Sequence, residues 1–168
     1  MPNVKVSDLV ALNDVINLNH WEMEVVGPEL ESAEFNTRAV STSVPSSTHT
    51  NNEIKIRGHV ILRPGDTQKN GQIDLQVLET IDNKVGQALH KYSQKMWKDD
   101  TGRQDAANDL FLTIKLNLLD NTREKVIKTY NLKWCLLNVG THDQLGPDGT
   151  PLYYNVSINY TDYETTFS

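Results

Sequence analysis

Apolar and polar residues alternate with a period of two along most of this chain. "HWEMEVVG" places Trp21, Met23 and Val25 on one face and His20, Glu22 and Glu24 on the other. "EFNTRAVS" repeats the pattern with Phe35, Thr37 and Ala39, and "EIKIRGHVIL" with Ile54, Ile56, Val60 and Leu62. "QIDLQVLE" aligns Ile73, Leu75 and Val77, and "LFLTIKLNLL" aligns Leu112, Ile114, Leu116 and Leu118. "KVIKTYNLKWCLL" aligns Val126, Tyr130, Leu132, Trp134 and Leu136, and "LYYNVSINY" aligns Leu152, Tyr154, Val156, Ile158 and Tyr160. Such repetition predicts antiparallel strands with one face buried and one face polar.

One segment departs from that period. In "DNKVGQALHKYSQKMWKDD", Val85, Leu89, Tyr92 and Met96 recur at helical spacing, with Asp82 as the expected N-cap. Gly86 weakens this helix by about 1 kcal/mol relative to alanine, too little to override the stripe. The pattern predicts a helix over about 82–98 that covers an opening or edge of the sheets. The fold class is mainly β: an antiparallel sandwich or barrel with one flanking α-helix, in a single domain over 1–168.

The connections sharpen this picture. "RPGDTQKNG" reads as a hairpin loop, with Pro64-Gly65 and Asn70-Gly71 as turn signals. "DNTRE" and "GPDGTP" read as further turns. "STSVPSSTHTNN", residues 41–52, is long, polar and almost uncharged. A loop of that length is uncommon in a compact domain unless a partner or a function orders it.

Composition excludes several function classes. The chain has 168 residues, 22 acids and 16 Lys plus Arg, a net charge of −6. This argues against a general phosphate-binding surface. The first fifty residues hold Asp8, Asp14, Glu22, Glu24, Glu29, Glu31 and Glu34 against Lys5 and Arg38. Residues 84–103 lean basic, with Lys84, Lys91, Lys95, Lys98 and Arg103 against Asp99 and Asp100. Such asymmetry permits head-to-tail self-association, although an ordinary mixed surface explains it as simply. No apolar run is long enough to span a bilayer as a helix, and "MPNVKVSDLVALNDV" does not read as a secretory signal. The expectation is a soluble protein, intracellular at synthesis. The sequons at Asn155 and Asn159 then read as by-products of strand alternation.

Catalytic chemistry finds little support. Cys135, His142 and Asp143 lie close in sequence, as a nucleophile and its helpers could. The strand phase puts Cys135 opposite Trp134 on the polar face, and His142 beyond a turn at Asn138-Val-Gly140. The remaining histidines, His20, His49, His59 and His90, lack metal-ligand spacing, and no second cysteine completes a sulfur site. Neither Gly65-Asp-Thr nor Gly140-Thr-His-Asp has the pattern of a phosphate loop. Tyr153, Tyr154, Tyr160 and Tyr163 could stack on bases, but Tyr154 and Tyr160 share the apolar face and read as core. The expectation is no enzyme, no cofactor and no metal, which leaves binding or assembly.

The ordered set of segments resembles a known family. The segments are "NLNHWEMEVVG", "FNTRAVSTSVPSS", "EIKIRGHVILRPGDTQKNGQIDLQVLETIDNKVGQALHKYSQKMW", "TYNLKWCLLNVGTHDQLG" and "YYNVSINYTDYE". In that order they resemble the tail-tube proteins of contractile-tailed bacteriophages. The likeness runs from about residue 17 to residue 164 and extends to the tube-forming Hcp proteins of type VI secretion. Two features depart from the family pattern: Leu136-Leu137 stand where a proline is frequent, and the first loop is richer in Ser and Thr.

The resemblance implies a subunit that forms hexameric rings, which stack into a tube conducting DNA during ejection. It implies contacts with a tail sheath, baseplate and tail terminator proteins, DNA passage without specific binding, and no membrane anchor. It also implies a place in the virion tail after synthesis in the bacterial host cytoplasm. Loop 41–52, with Val44, Pro45, Ser46, Ser47, His49 and Asn51, would reach a neighbouring subunit or ring, and an N-terminal arm over 1–16 would add contacts. Glu22, Glu24, Asp74, Lys115 and Asn117 are the candidates for the lumen wall, together with Gln76. A tube initiator next to the baseplate, or a secretion or bacteriocin tube subunit, fits the same fold. A β-sandwich binding module using loops 41–52, 64–71 and 141–151 is the alternative of another class.

Overall fold

The structure is a computed structural model of the chain and describes residues 7, 10–12, 15–30, 32–142 and 149–168. Most of the expected N-terminal arm 1–16 and most of the expected loop 141–151 lie outside the described residues. The main element is a six-stranded antiparallel sheet with strand order β1-β6-β7-β8-β5-β2. The strands are β1 (Trp21–Val26), β2 (Ala39–Thr42), β5 (Gln72–Leu78), β6 (Leu112–Leu119), β7 (Val126–His142) and β8 (Tyr153–Phe167). A separate two-stranded sheet pairs β3 (Ser47–Ile56) with β4 (His59–Lys69). The helices are α1 (Ser32–Arg38), α2 (Lys84–Met96) and the single turn α3 (Ala107–Leu110). The fold is mainly β, as the alternation predicts.

One face of the large sheet forms the core. Met23 and Val25 of β1, Ile73, Leu75 and Val77 of β5, and Leu112, Ile114 and Leu116 of β6 are buried there. Tyr130, Leu132, Cys135 and Leu137 of β7 and Val156, Ile158 and Tyr160 of β8 complete that layer. Helix α2 lies against it with Val85, Leu89 and Tyr92 buried and Met96 packed at the margin, which is the stripe expected from sequence. Burying side chains of this size supplies roughly 1.5–3 kcal/mol each, so the shared face of sheet and helix is what holds the domain together.

The start of α2 differs from expectation. Asn83, not Asp82, is the N-cap; it adopts a left-handed conformation with φ 54° and makes no side-chain cap. The Glu79 carboxylate instead accepts the Gly86 N–H at 2.6 Å. A Cβ on residue 86 would lie 2.5 Å from Asn83 Oδ1 and 2.7 Å from the Tyr154 hydroxyl, so glycine permits this close approach. Asp82 is engaged elsewhere. The Arg38 guanidinium lies 3.0 Å from Asp82 and 3.5 Å from Glu79, which ties the end of α1 to the entry of α2.

Residues 35–39 are not the expected strand. Helix α1 occupies Ser32–Arg38 and β2 begins only at Ala39. The reason is tertiary. Phe35 is buried in the core, and Asn36 Oδ1 accepts the Met23 N–H at 3.0 Å, so α1 covers part of the free edge of β1. Three alternating residues are too few to separate a strand from one helical turn.

The segment 41–69 is also rearranged. Most of the expected loop 41–52 is strand: β2 runs to Thr42 and β3 begins at Ser47. "EIKIRGHVIL" is two strands, turning at Arg57 and Gly58, whose φ values are +47° and +84°. Two positive φ values at a two-residue connection are the requirement for a tight hairpin turn that matches strand twist. The turn reverses side-chain phase, so Ile54 and Ile56 do not share a face with Val60 and Leu62. Pro64 and Gly65 lie inside β4, beside a register shift between His49 and Asn51. The connection to β5 is the Asn70-Gly71 turn, with Gly71 at φ +76°.

Strand β7 also differs from expectation. Leu112 faces Cys135 and Ile114 faces Leu132, so β7 carries one extra residue against β6, a β-bulge. Trp134 sits in it with φ +51°. Beyond the bulge the phase changes: Cys135 and Leu137 are buried and Trp134 is 52% exposed. Trp134 is therefore not a core residue, and Cys135 is. The strand also continues through the expected turn at 138–140 as far as His142.

Candidate assembly surfaces

The residues considered for chemistry do not converge. Cys135 is fully buried, and burial pushes its thiol up to about 12, so it stays protonated near neutrality. His142 pairs in register with Tyr154 at the far end of β7, and Asp143 lies outside the described residues. Among the described residues no group of three or more His, Cys, Asp or Glu side chains is placed to hold a metal ion, and no helix is long and apolar enough to cross a membrane.

What the fold does assemble is a polar sheet face, opposite the core. Glu22 stands across from Asn117, and Glu24 from Lys115. Asn117 Nδ2 donates to Glu22 Oε1 at 3.0 Å, Thr129 Oγ1 donates to Asn117 Oδ1 at 2.8 Å, and Lys115 Nζ lies 3.8 Å from Glu24. The row continues across β7 and β8, where Lys133 pairs with Glu164 at 2.6 Å. Asp74 lies on the same face, on β5 near the opposite side of the sheet. Ser157 Oγ donates to its carboxylate at 3.3 Å, and its backbone N–H donates to Ser43 Oγ at 2.9 Å. Gln76 stands across from Asn155 on this strand pair. The five lumen candidates thus share one face, in two groups, with Glu22, Glu24, Lys115 and Asn117 adjacent and Asp74 apart.

The second surface is the hairpin β3–β4. Apart from partly buried Ser47 and Gly65, every residue in its strands is exposed, including Ile54, Ile56, Val60, Ile61 and Leu62. These aliphatics divide between the two faces of the ribbon, with Ile54, Ile56 and Ile61 on one and Val60 and Leu62 on the other. The expected contact residues divide between this hairpin and the segment leading to it. Ser47, His49 and Asn51 belong to β3, and His49 Nδ1 bonds Thr67 Oγ1 at 2.8 Å. Val44 and Ser46 are exposed before the strand, whereas Pro45 is buried. Sequence reasoning does not single out the hairpin aliphatics as contact residues, because their alternation is that of a buried strand. The Arg57-Gly58 pair is the available signal for a turn between them.

No family model matches this sequence, and no curated protein matches it. Solved structures do match its fold. A chain of the tube-terminating cap of the anti-feeding prophage superposes with a TM-score of 0.68 at 11% identity, covering 94% of this chain and 95% of that one. A chain of the sheath/tube terminator of PVC, an extracellular contractile injection system, gives 0.68 at 13% identity, with 93% and 99% covered. A chain of the extended PVC sheath–tube complex gives 0.64 at 14% identity, with 99% and 100% covered. At such identities the likeness is one of fold, and it spans nearly the whole of each chain. The chain shares the fold of these chains of contractile particles.

Proposed function

We propose that this chain is a structural, non-enzymatic subunit of the inner tube of a contractile tail-type particle. Copies form hexameric rings, and the rings stack. The observation that carries this reading is the hairpin β3–β4, whose aliphatic side chains stay exposed in the single subunit. A neighbouring copy that covers them removes apolar surface from water, which is the main favourable term in association. The whole-length likeness to chains of contractile particles supports the same reading.

In such a ring the polar sheet face forms the lumen wall, with Glu22, Glu24, Asp74, Lys115 and Asn117 directed inward. The net charge of −6 suits a conduit that a phosphate backbone passes without binding. This favours a bacteriophage tail tube that conducts DNA during ejection, built in the host cytoplasm and carried in the virion tail. Sheath, baseplate and terminator proteins are its partners. A tube subunit of an injection system is the second reading, favoured by the matches to the anti-feeding prophage and PVC chains.

Negative-stain microscopy of the concentrated protein tests the assembly. Rings or tubes with a central channel are expected. A protein that sediments as a monomer at every concentration and shows neither form overturns the reading.

A further inference from the structure

The two-stranded ribbon joins the six-stranded sheet through two short connections, residues 43–46 and Asn70-Gly71. The second is held from several sides. The Asn70 N–H donates to the Ser46 carbonyl at 2.8 Å, and the Tyr160 N–H donates to the Gly71 carbonyl at 2.9 Å. Lys69, the residue before the turn, pairs with Asp162 of β8. Asn70-Gly71 is thus the hinge where the ribbon meets the sheet. It is also the one Asn-Gly pair of the sequence.

The same residues carry covalent chemistry. Asn70 Nδ2 donates to the Gln72 carbonyl at 3.0 Å. That bond folds the side-chain amide forward over the Gly71 peptide, with Cγ on the side of the Gly71 nitrogen. Cγ and that nitrogen belong to one short stretch of chain, so ring closure between them is a unimolecular step. Gly71 has no Cβ to shield its nitrogen, and its φ of +76° is a conformation that favours glycine. Asn70 is exposed, so water reaches it. Asn121 is exposed too, but it precedes the β-branched Thr122, and its Oδ1 accepts a bond from Asn17 Nδ2 at 2.9 Å.

We propose that Asn70-Gly71 is a site of spontaneous covalent modification, at which the folded chain converts Asn70 through a succinimide to aspartate and isoaspartate. The Gly71 nitrogen gives up its proton and attacks Asn70 Cγ. The N–Cγ bond forms, the Cγ–Nδ2 bond breaks, and Nδ2 leaves as ammonia with that proton. Water then opens the ring. Attack at Cγ leaves aspartate, and attack at the main-chain carbonyl leaves isoaspartate, whose backbone runs through the former side chain. No oxidant or cofactor is consumed. Either product places a new carboxylate beside Lys69 and Asp162. Isoaspartate also lengthens the chain at the hinge and draws the Asn70 N–H away from Ser46, so the ribbon base loosens as the subunit ages. The reaction needs only the folded single chain and stands apart from the tube reading.

Ageing the purified protein at mildly alkaline pH tests this. Peptide mass spectrometry should find Asn70 converting to the acid roughly tenfold faster than Asn121. An isoaspartyl methyltransferase should label the aged chain. Asn70→Gln keeps an amide on a longer side chain and should abolish the label with little change in Tm, because the position is exposed. Limited proteolysis should cut the ribbon faster in aged than in fresh wild-type protein, and at one rate in aged and fresh Asn70→Gln. An Asn70 that keeps its amide in the folded chain while it converts in urea overturns the proposal, as does a label undiminished in Asn70→Gln. Equal cutting of fresh and aged wild-type protein overturns the loosening of the hinge.

Discussion

The hydroxyl of Tyr92 donates a hydrogen bond to the backbone carbonyl of Leu110 at 2.9 Å, inside the core. The same oxygen accepts the Leu137 N–H at 3.4 Å, so one α2 side chain joins α3 and β7. Tyr92→Phe keeps the ring and leaves both backbone groups short of a partner. The expected cost is about 2 kcal/mol, a fall in Tm of roughly 4–8 °C by thermal denaturation. An unchanged Tm would show that the hydroxyl is dispensable.

The bulge in β7 sets a clear order of mutational costs. Leu132→Ala removes a fully buried side chain and should cost about 2–5 kcal/mol. Trp134→Ala should cost only about 0.5 kcal/mol, because the indole is half exposed. Cys135→Ser places a hydroxyl in an apolar site and should cost about 1–3 kcal/mol. Urea denaturation of the three variants gives the ranking, and a Trp134→Ala penalty equal to that of Leu132→Ala would place the indole in the core after all.

Asp82 sets a limit on acid stability. Its hydrogen bonds from Arg38, chiefly, and from Thr80 lower its pKa from 3.8 to about 2. A carboxylate whose folded pKa is depressed contributes stability above the unfolded value and loses it as pH falls through the folded one. The contribution is therefore complete above about pH 4 and disappears between about pH 4 and pH 2. Asp82→Asn should flatten that part of the stability-versus-pH curve. An identical acid limb in the variant would remove Asp82 from the account.

The orientation of the polar sheet face is open to labelling. Glu24→Cys in free subunits should react both with a small maleimide and with a polymer-bearing one. In assembled tubes the small reagent should still react and the polymer should not. Equal reaction with the polymer in tubes would place Glu24 on the outside.

Strands β1, β5 and β6 are legible in sequence because each buries one unbroken face, as Met23 and Val25 or Ile73, Leu75 and Val77 do. The α2 stripe is legible for the same reason. Trp134 misleads because a bulge changes phase without changing composition, so an apolar residue continues a pattern that the backbone has left. Phe35 misleads because a buried aromatic serves a helical turn as well as a strand. Among the surface candidates, Glu22, Glu24, Lys115 and Asn117 follow from β1 and β6 alternation. The hairpin aliphatics do not, because exposure depends on what lies above the strand, and periodicity carries no information on that.

The Arg57-Gly58 turn has a kinetic consequence. It closes a two-stranded ribbon whose aliphatic side chains stay exposed in the subunit, and such a ribbon is marginally stable in water. In the tube proposed above, two free subunits that meet must both order their ribbons before the contact is secure, whereas a growing end offers a site already organised. That proposal therefore implies slow formation of new particles and fast elongation, so that a cell holding many subunits would make a few long assemblies rather than many short ones.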